Sequence, residues 1–216
     1  MLLLLALLAG LAYTGFSVFQ LYQPLDAGRR ELVAAQAGLS RGATAADPGS
    51  LPAIAAQLRR AERDFEAAKT RTREDPALAL LGRVPAADHQ MEATSHLAAI
   101  GADLSRAGES AATIGLQAAQ LKQQYAGRTL TPDDLPPLLR QTEAMATDYA
   151  QSARAIGDQL AAAHAERARV ATAGLLPPLR DAFAQVDAAL TAADGAFRQY
   201  QDVRRLLADL LGVSLS

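Results

Sequence analysis

Apolar side chains recur along this chain at intervals of three and four, the spacing of one face of an α-helix. Leu51, Ile54, Leu58, Ala61, Phe65 and Ala68 set such a face from about residue 50 to 73, with Ser50 as an expected N-cap and Pro52 in the first turn. Leu97, Ile100, Leu104, Ala107, Ala111, Ile114, Ala118, Leu121 and Tyr125 continue it in alternating steps of three and four, a heptad seam on a helix expected over about 86–126. Leu135, Leu138, Met145, Tyr149, Ala153, Ile156, Leu160, Ala163 and Val170 predict a helix over about 132–173. Leu179, Phe183, Val186, Leu190, Ala193, Phe197, Tyr200, Leu207 and Leu211 predict another over about 177–211. A shorter helix over about 26–41 is read from Leu32, Ala35 and Leu39.

The breakers fall between these segments. Residues 42–49 (GATAADPG) read as a loop, and Gly127 followed by Thr131-Pro132-Asp133-Asp134 marks a stop and a capped start. Gly174 and Pro177-Pro178 mark a further corner, and Gly212 an end. Residues 74–85 (EDPALALLGRVP) form an apolar connection expected to plug one end of the bundle. Gly101, Gly108 and Gly115 stand seven apart. Each costs about 1 kcal/mol against Ala in a helix interior, so their shared phase predicts close approach of a neighbouring helix. No stretch alternates apolar and polar residues in the manner of a strand. The fold class expected is all-α: an N-terminal transmembrane helix, then an elongated antiparallel bundle over 26–216 with coiled-coil-like seams.

Residues 1–25 contain no charged side chain. A bilayer core takes about 20 apolar residues as a helix, so this run is read as a single-pass anchor. Tyr13, Phe19 and Tyr22 are candidate interfacial aromatics, and Pro24 marks the exit. A cleaved signal peptide is the competing reading: Gly10-Leu11-Ala12 is a small-x-small site, although no basic residue precedes the apolar run. Arg29 and Arg30 follow the run, which by the positive-inside rule favours a cytoplasmic bundle, but long domains translocate largely regardless of charge.

Composition sharpens the picture. Of 216 residues, 50 are Ala and 34 are Leu, types that lose little freedom in a helix. The absence of Cys removes thiolate metal sites, disulfides and cysteine nucleophiles, and a formal net charge of −2 gives no support for nucleic-acid binding. His89, Glu92 and His96 share a helical face, but the two imidazoles stand about 10 Å apart along the axis, too far for one ion. They read as a polar face, as does His164 among its alanines. Asp133-Asp134 reads as a capping pair, and Ser95, Ser105 and Ser110 have no positioned base. No catalytic, cofactor-binding or metal-ligating residue is therefore assigned, and no enzyme activity or cofactor is expected.

The order of segments adds one more reading. The uncharged leader is followed by LDAGRRELVAAQAGL, then by SLPAIAAQLRRAERDFEAAKTRTREDPALALLGRVP closing on Val84-Pro85, a long Ala-rich helix, and LLADLLG over 206–212. This arrangement resembles the N-terminal region of the bacterial family known as domain of unknown function 4012. The resemblance implies a membrane-anchored protein with an extracytoplasmic helical region, ahead of a globular part that would begin where this chain stops. It implies no site residues. The function expected is thus that of a membrane-anchored helical stalk or scaffold at the cell envelope. Its partners would be the bilayer through residues 1–25 and a protein, or a second copy, through its helix faces. A ligand-sensing bundle ectodomain and an accessory subunit of a larger membrane complex are the alternatives.

Overall fold

A computed structural model of the chain describes residues 23–35, 48–76, 85–125 and 135–211. Among these residues every regular element is helical and none is a strand. We label the helices α1 (residues 23–35), α2 (Leu51–Glu74), α3 (Pro85–Tyr125), α4 (Leu135–Ala168) and α5 (Pro177–Leu211). At 1.5 Å per residue, α3 is about 60 Å long. Among the described residues no helix is long and apolar enough to cross a membrane. The span expected over 1–25 lies almost entirely outside them, as do the Thr131 cap, the Gly127 and Gly212 stops and most of the 74–85 connection.

The helices form two cores that share α3. On one side, Ile100, Leu104, Ala107 and Ile114 meet Ile156, Leu160 and Ala163 of α4 and Leu179, Phe183 and Leu190 of α5. On the other side, Ala98, Ala102 and Ala112 of α3 meet α2 and α1. The described parts of α2 make no packing contact with α4 or α5, so α3 is a common strut between two layers. The heptad seam read from the sequence is only the first of these stripes. Its Ala111 and Ala118 are exposed, and the side chains of Leu121 and Tyr125 lie outside those described.

The second stripe is where the glycines act. A methyl group built on Gly101 would stand 2.7 Å from the Phe65 ring, one on Gly108 3.1 Å from Leu58, and one on Gly115 3.5 Å from Leu51. The three α2 side chains are themselves seven apart and run antiparallel to the glycines, so each knob enters a gap left by a missing Cβ. Gly28 of α1 flanks the same Phe65 ring, at 3.1 Å for an added methyl group, so the ring lies between two glycines. Leu25 packs against Ala68 and Ala98, whereas Ala35 packs beside Ile54, Leu58 and Ala112. Hence α1 runs antiparallel to α2 and parallel to α3.

Two local expectations are corrected. Ser50 does not cap α2 through its side chain; it ends a 3₁₀ turn, Pro48–Ser50, with helical backbone angles (φ −81°, ψ −23°). The helix expected to reach residue 173 ends at Ala168, because Val170 and Leu175 turn inward to the core and the chain tightens through i→i+3 bonds at Glu166–Arg169 and Arg167–Val170. Gly174, at φ +80°, then reverses the chain in a conformation that costs other residues about 1–2 kcal/mol. The bundle expected from the sequence is present, and within it the described residues of α3 carry two apolar stripes.

Candidate functional site

A group of ionisable side chains lies along the flank of α3 between its two apolar stripes. Glu92, His96, Asp103 and Arg106 recur there at four, seven and three residues, which keeps them on one side of the helix. Arg106 reaches α2: its Nε donates to Glu62 at 2.7 Å and its Nη2 to Glu66 at 2.5 Å, while Nη1 donates to Asp103 at 2.8 Å on its own helix. Lys69 stands 3.5 Å from Glu66. Nearly three turns toward the N-terminus from Arg106, His96 reaches α4 instead, with Nδ1 2.5 Å from Glu166 Oε2 and Nε2 3.9 Å from Glu92. Glu166 also accepts from Arg169 at 2.8 Å.

These groups act on one another. Burial pushes the Asp103 carboxyl above its ordinary range; Arg106 and Lys69 oppose this, and the charges of Glu166 and Glu66 reinforce it. Asp103 thus feels both ends of the flank. For Glu66 burial also disfavours the charge, but the hydrogen bond from Arg106 and the nearby Lys69 outweigh it and hold the carboxyl below its ordinary range. Burial opposes the Arg106 cation too, and the Glu62 and Glu66 carboxylates more than offset it. Asp64, on the outer side of α2, is raised by burial and by Glu31.

A second set of ties closes the α4–α5 corner. Arg167 donates to both oxygens of Asp187, at 2.6 and 2.9 Å, and lies 5.3 Å above the Phe183 ring centroid. The Asp187 hydrogen bond raises the Arg167 pKa against the effect of burial. His164 Nε2 is 2.9 Å from Asp194. His89 Nε2 is 3.2 Å from the Ala173 carbonyl oxygen. Gln90 clamps the same corner from both directions: its Nε2 donates to the Gly174 carbonyl at 3.0 Å and its Oε1 accepts from the Leu176 N–H at 3.0 Å.

The candidates of the sequence are therefore separated rather than gathered. His89 turns to the corner backbone, His96 to Glu166, and His164 to α5. Ser105 is fully buried and donates to the Gly101 carbonyl at 2.7 Å, the back-bonding of a helical serine rather than the posture of a nucleophile. Asp133 and Asp134 lie outside the described residues. Among the described residues no three His, Cys, Asp or Glu side chains are grouped to hold a metal ion. Of the α3 groups in this flank, Glu92 and His96 stand out in the sequence, whereas Asp103 and Arg106 do not. Their partners Glu62, Glu66 and Glu166 come from other helices, and no local pattern marks them.

What the arrangement does chemically is tie helices together with charge-assisted hydrogen bonds across α2–α3, α3–α4 and α4–α5. Compared with known protein families, with curated proteins and with solved structures, the chain matches none.

Proposed function

We propose that the chain is a membrane-tethered helical scaffold. The observation that carries this reading is the junction between leader and bundle. The uncharged run of residues 1–25 leads into α1, and Leu25, its last residue, already packs against Ala68 and Ala98. A tether joined in this way transmits position and force to the whole body instead of trailing from it. The polar side chains support the reading from the other direction: the flank and the corner use their charges to join helices. The bundle lies outside the cytoplasm, as the resemblance to domain of unknown function 4012 implies, and engages a protein partner or a second copy through its helix faces.

Two measurements on the full chain test this. After expression in a bacterial host and alkaline carbonate washing, the chain should remain with the membrane pellet; release into the supernatant refutes the tether. External protease should then cleave the bundle in intact spheroplasts, whereas cleavage only after lysis refutes the extracytoplasmic placement.

A further inference from the structure

Two unrelated segments lie toward the N-terminal end of α3. Leu25, where the uncharged leader joins the bundle, packs against Ala68 and Ala98 and against Ala61, Phe65 and Ala102. The α4–α5 corner is clamped onto His89 and Gln90. Eight residues separate Gln90 from Ala98, so the corner stands about 12 Å beyond Leu25 toward the α3 N-terminus. Because α1 runs parallel to α3, its N-terminus is directed toward the end of the bundle at which the corner lies, the end of the α3 N-terminus.

The corner is unusual in what it exposes. Leu176 is 59% exposed, one of two large hydrophobic residues so exposed among those described. Pro177 and Pro178 beside it are exposed as well, while Leu175 is buried and roots the turn in the core. Arg169 and Arg180 are exposed on either side, with Asp181 next to the second. A leucine held outward by a hydrogen bond on its own N–H, followed by two prolines that bring no N–H, is inexpensive to remove from water. Flanking arginines can keep their guanidinium groups at the headgroup level while an apolar tip goes deeper.

We infer that the α4–α5 corner is a second membrane contact, in which Leu176, Pro177 and Pro178 enter the interfacial layer of the bilayer that holds the leader. This rests on the tether proposed above. It adds a fixed orientation: a bundle held by one strand can swivel, and a bundle held at two points stands with α3 directed away from the surface.

The chain has no cysteine, so single labels report unambiguously. Leu176→Cys and, separately, Ala111→Cys are introduced into the full chain and coupled to an environment-sensitive dye. Ala111 is exposed and lies about 30 Å further along α3 than Gln90. Both proteins are reconstituted into phosphatidylcholine vesicles with and without brominated acyl chains. Flotation and dye quenching are scored separately. Flotation, with a blue-shifted dye at 176 that brominated lipid quenches and a dye at 111 that it does not, is the expected result. Flotation with equal quenching at the two positions overturns the corner contact and leaves the tether standing. Failure to float overturns the tether and the corner contact with it.

Discussion

Replacing the three heptad glycines of α3 by alanine should give three different outcomes. In a helix interior each replacement gains about 1 kcal/mol from backbone propensity. At Gly115 the new methyl group meets Leu51 at 3.5 Å, an ordinary contact, so the gain survives. At Gly108 the nearest atoms are the two Leu58 Cδ groups at 3.1 and 3.2 Å, the mobile end of a side chain, and the gain is roughly offset. At Gly101 three Phe65 ring atoms stand at 2.7 Å, and Gly28 on α1 limits retreat. Overpacking of this kind costs about 1–3 kcal/mol, so Gly101→Ala should be destabilising by up to about 2 kcal/mol. For a chain of this size each kcal/mol moves Tm by about 2–4 °C. Thermal and urea unfolding of the full chain in a mild detergent, followed by circular dichroism at 222 nm, should rank the variants Gly115→Ala above parent and Gly101→Ala below it. Adding Phe65→Leu should relieve the clash, giving a double-mutant coupling of about 1 kcal/mol or more. If Gly101→Ala raises the midpoint as far as Gly115→Ala, the ring does not fill the gap that the glycine leaves, and the reasoning fails.

Other outcomes follow from the same contacts. Asp103 titrates above an ordinary aspartate, so its native charge costs stability at neutral pH, and that cost is relieved as pH falls through the raised native pKa. Asp103→Asn should therefore unfold at higher urea than the parent at pH 7, with the advantage shrinking as pH approaches the ordinary carboxylate range; a pH-independent difference contradicts this. Glu66 has the opposite sign: its depressed native pKa contributes stability present above the unfolded value and lost as pH falls through the native one. Glu66→Gln should flatten that acid-side loss in urea midpoints taken across the carboxylate range. Phe183 is fully buried, so Phe183→Ala should cost about 3–5 kcal/mol. Hydrogen exchange should show the loss in α4 and α5 ahead of α2; equal loss in α2 would mean the two cores are one. Gly174→Ala should cost about 1–2 kcal/mol, read from urea midpoints, because its φ of +80° is retained by the Gln90 and His89 clamp.

The helices were legible because each carries at least one continuous apolar line. Leu51 through Ala68 and Leu179 through Phe197 are read from the sequence as they pack. The doubling of α3 was half legible: Gly101, Gly108 and Gly115 signalled an approaching neighbour, but alanines at 98, 102 and 112 are too common in this chain to announce a second stripe. The end of α4 was missed because AERARVATAG reads as helix up to Gly174, and the pull of Val170 and Leu175 toward a core shared with α3 and α5 is not a local property. The charged flank was missed for a related reason. Arg106 is one of 21 basic residues, and only the antiparallel seating of α2 gives it Glu62 and Glu66.

That seating has a consequence for how the chain finds its alignment. Sliding α2 by one heptad, about 10 Å, would still seat two knobs in glycine gaps: Phe65 and Leu58 at Gly108 and Gly115 one way, or Leu58 and Leu51 at Gly101 and Gly108 the other. Sterically the zipper is close to degenerate. Arg106 is not indifferent to the choice. The first slip would confront it with Lys69 and Arg73, the second with Ala55 and Arg59, in place of two carboxylates. A surface ion pair adds little to the depth of the native well, yet here it distinguishes one well from its two near-copies.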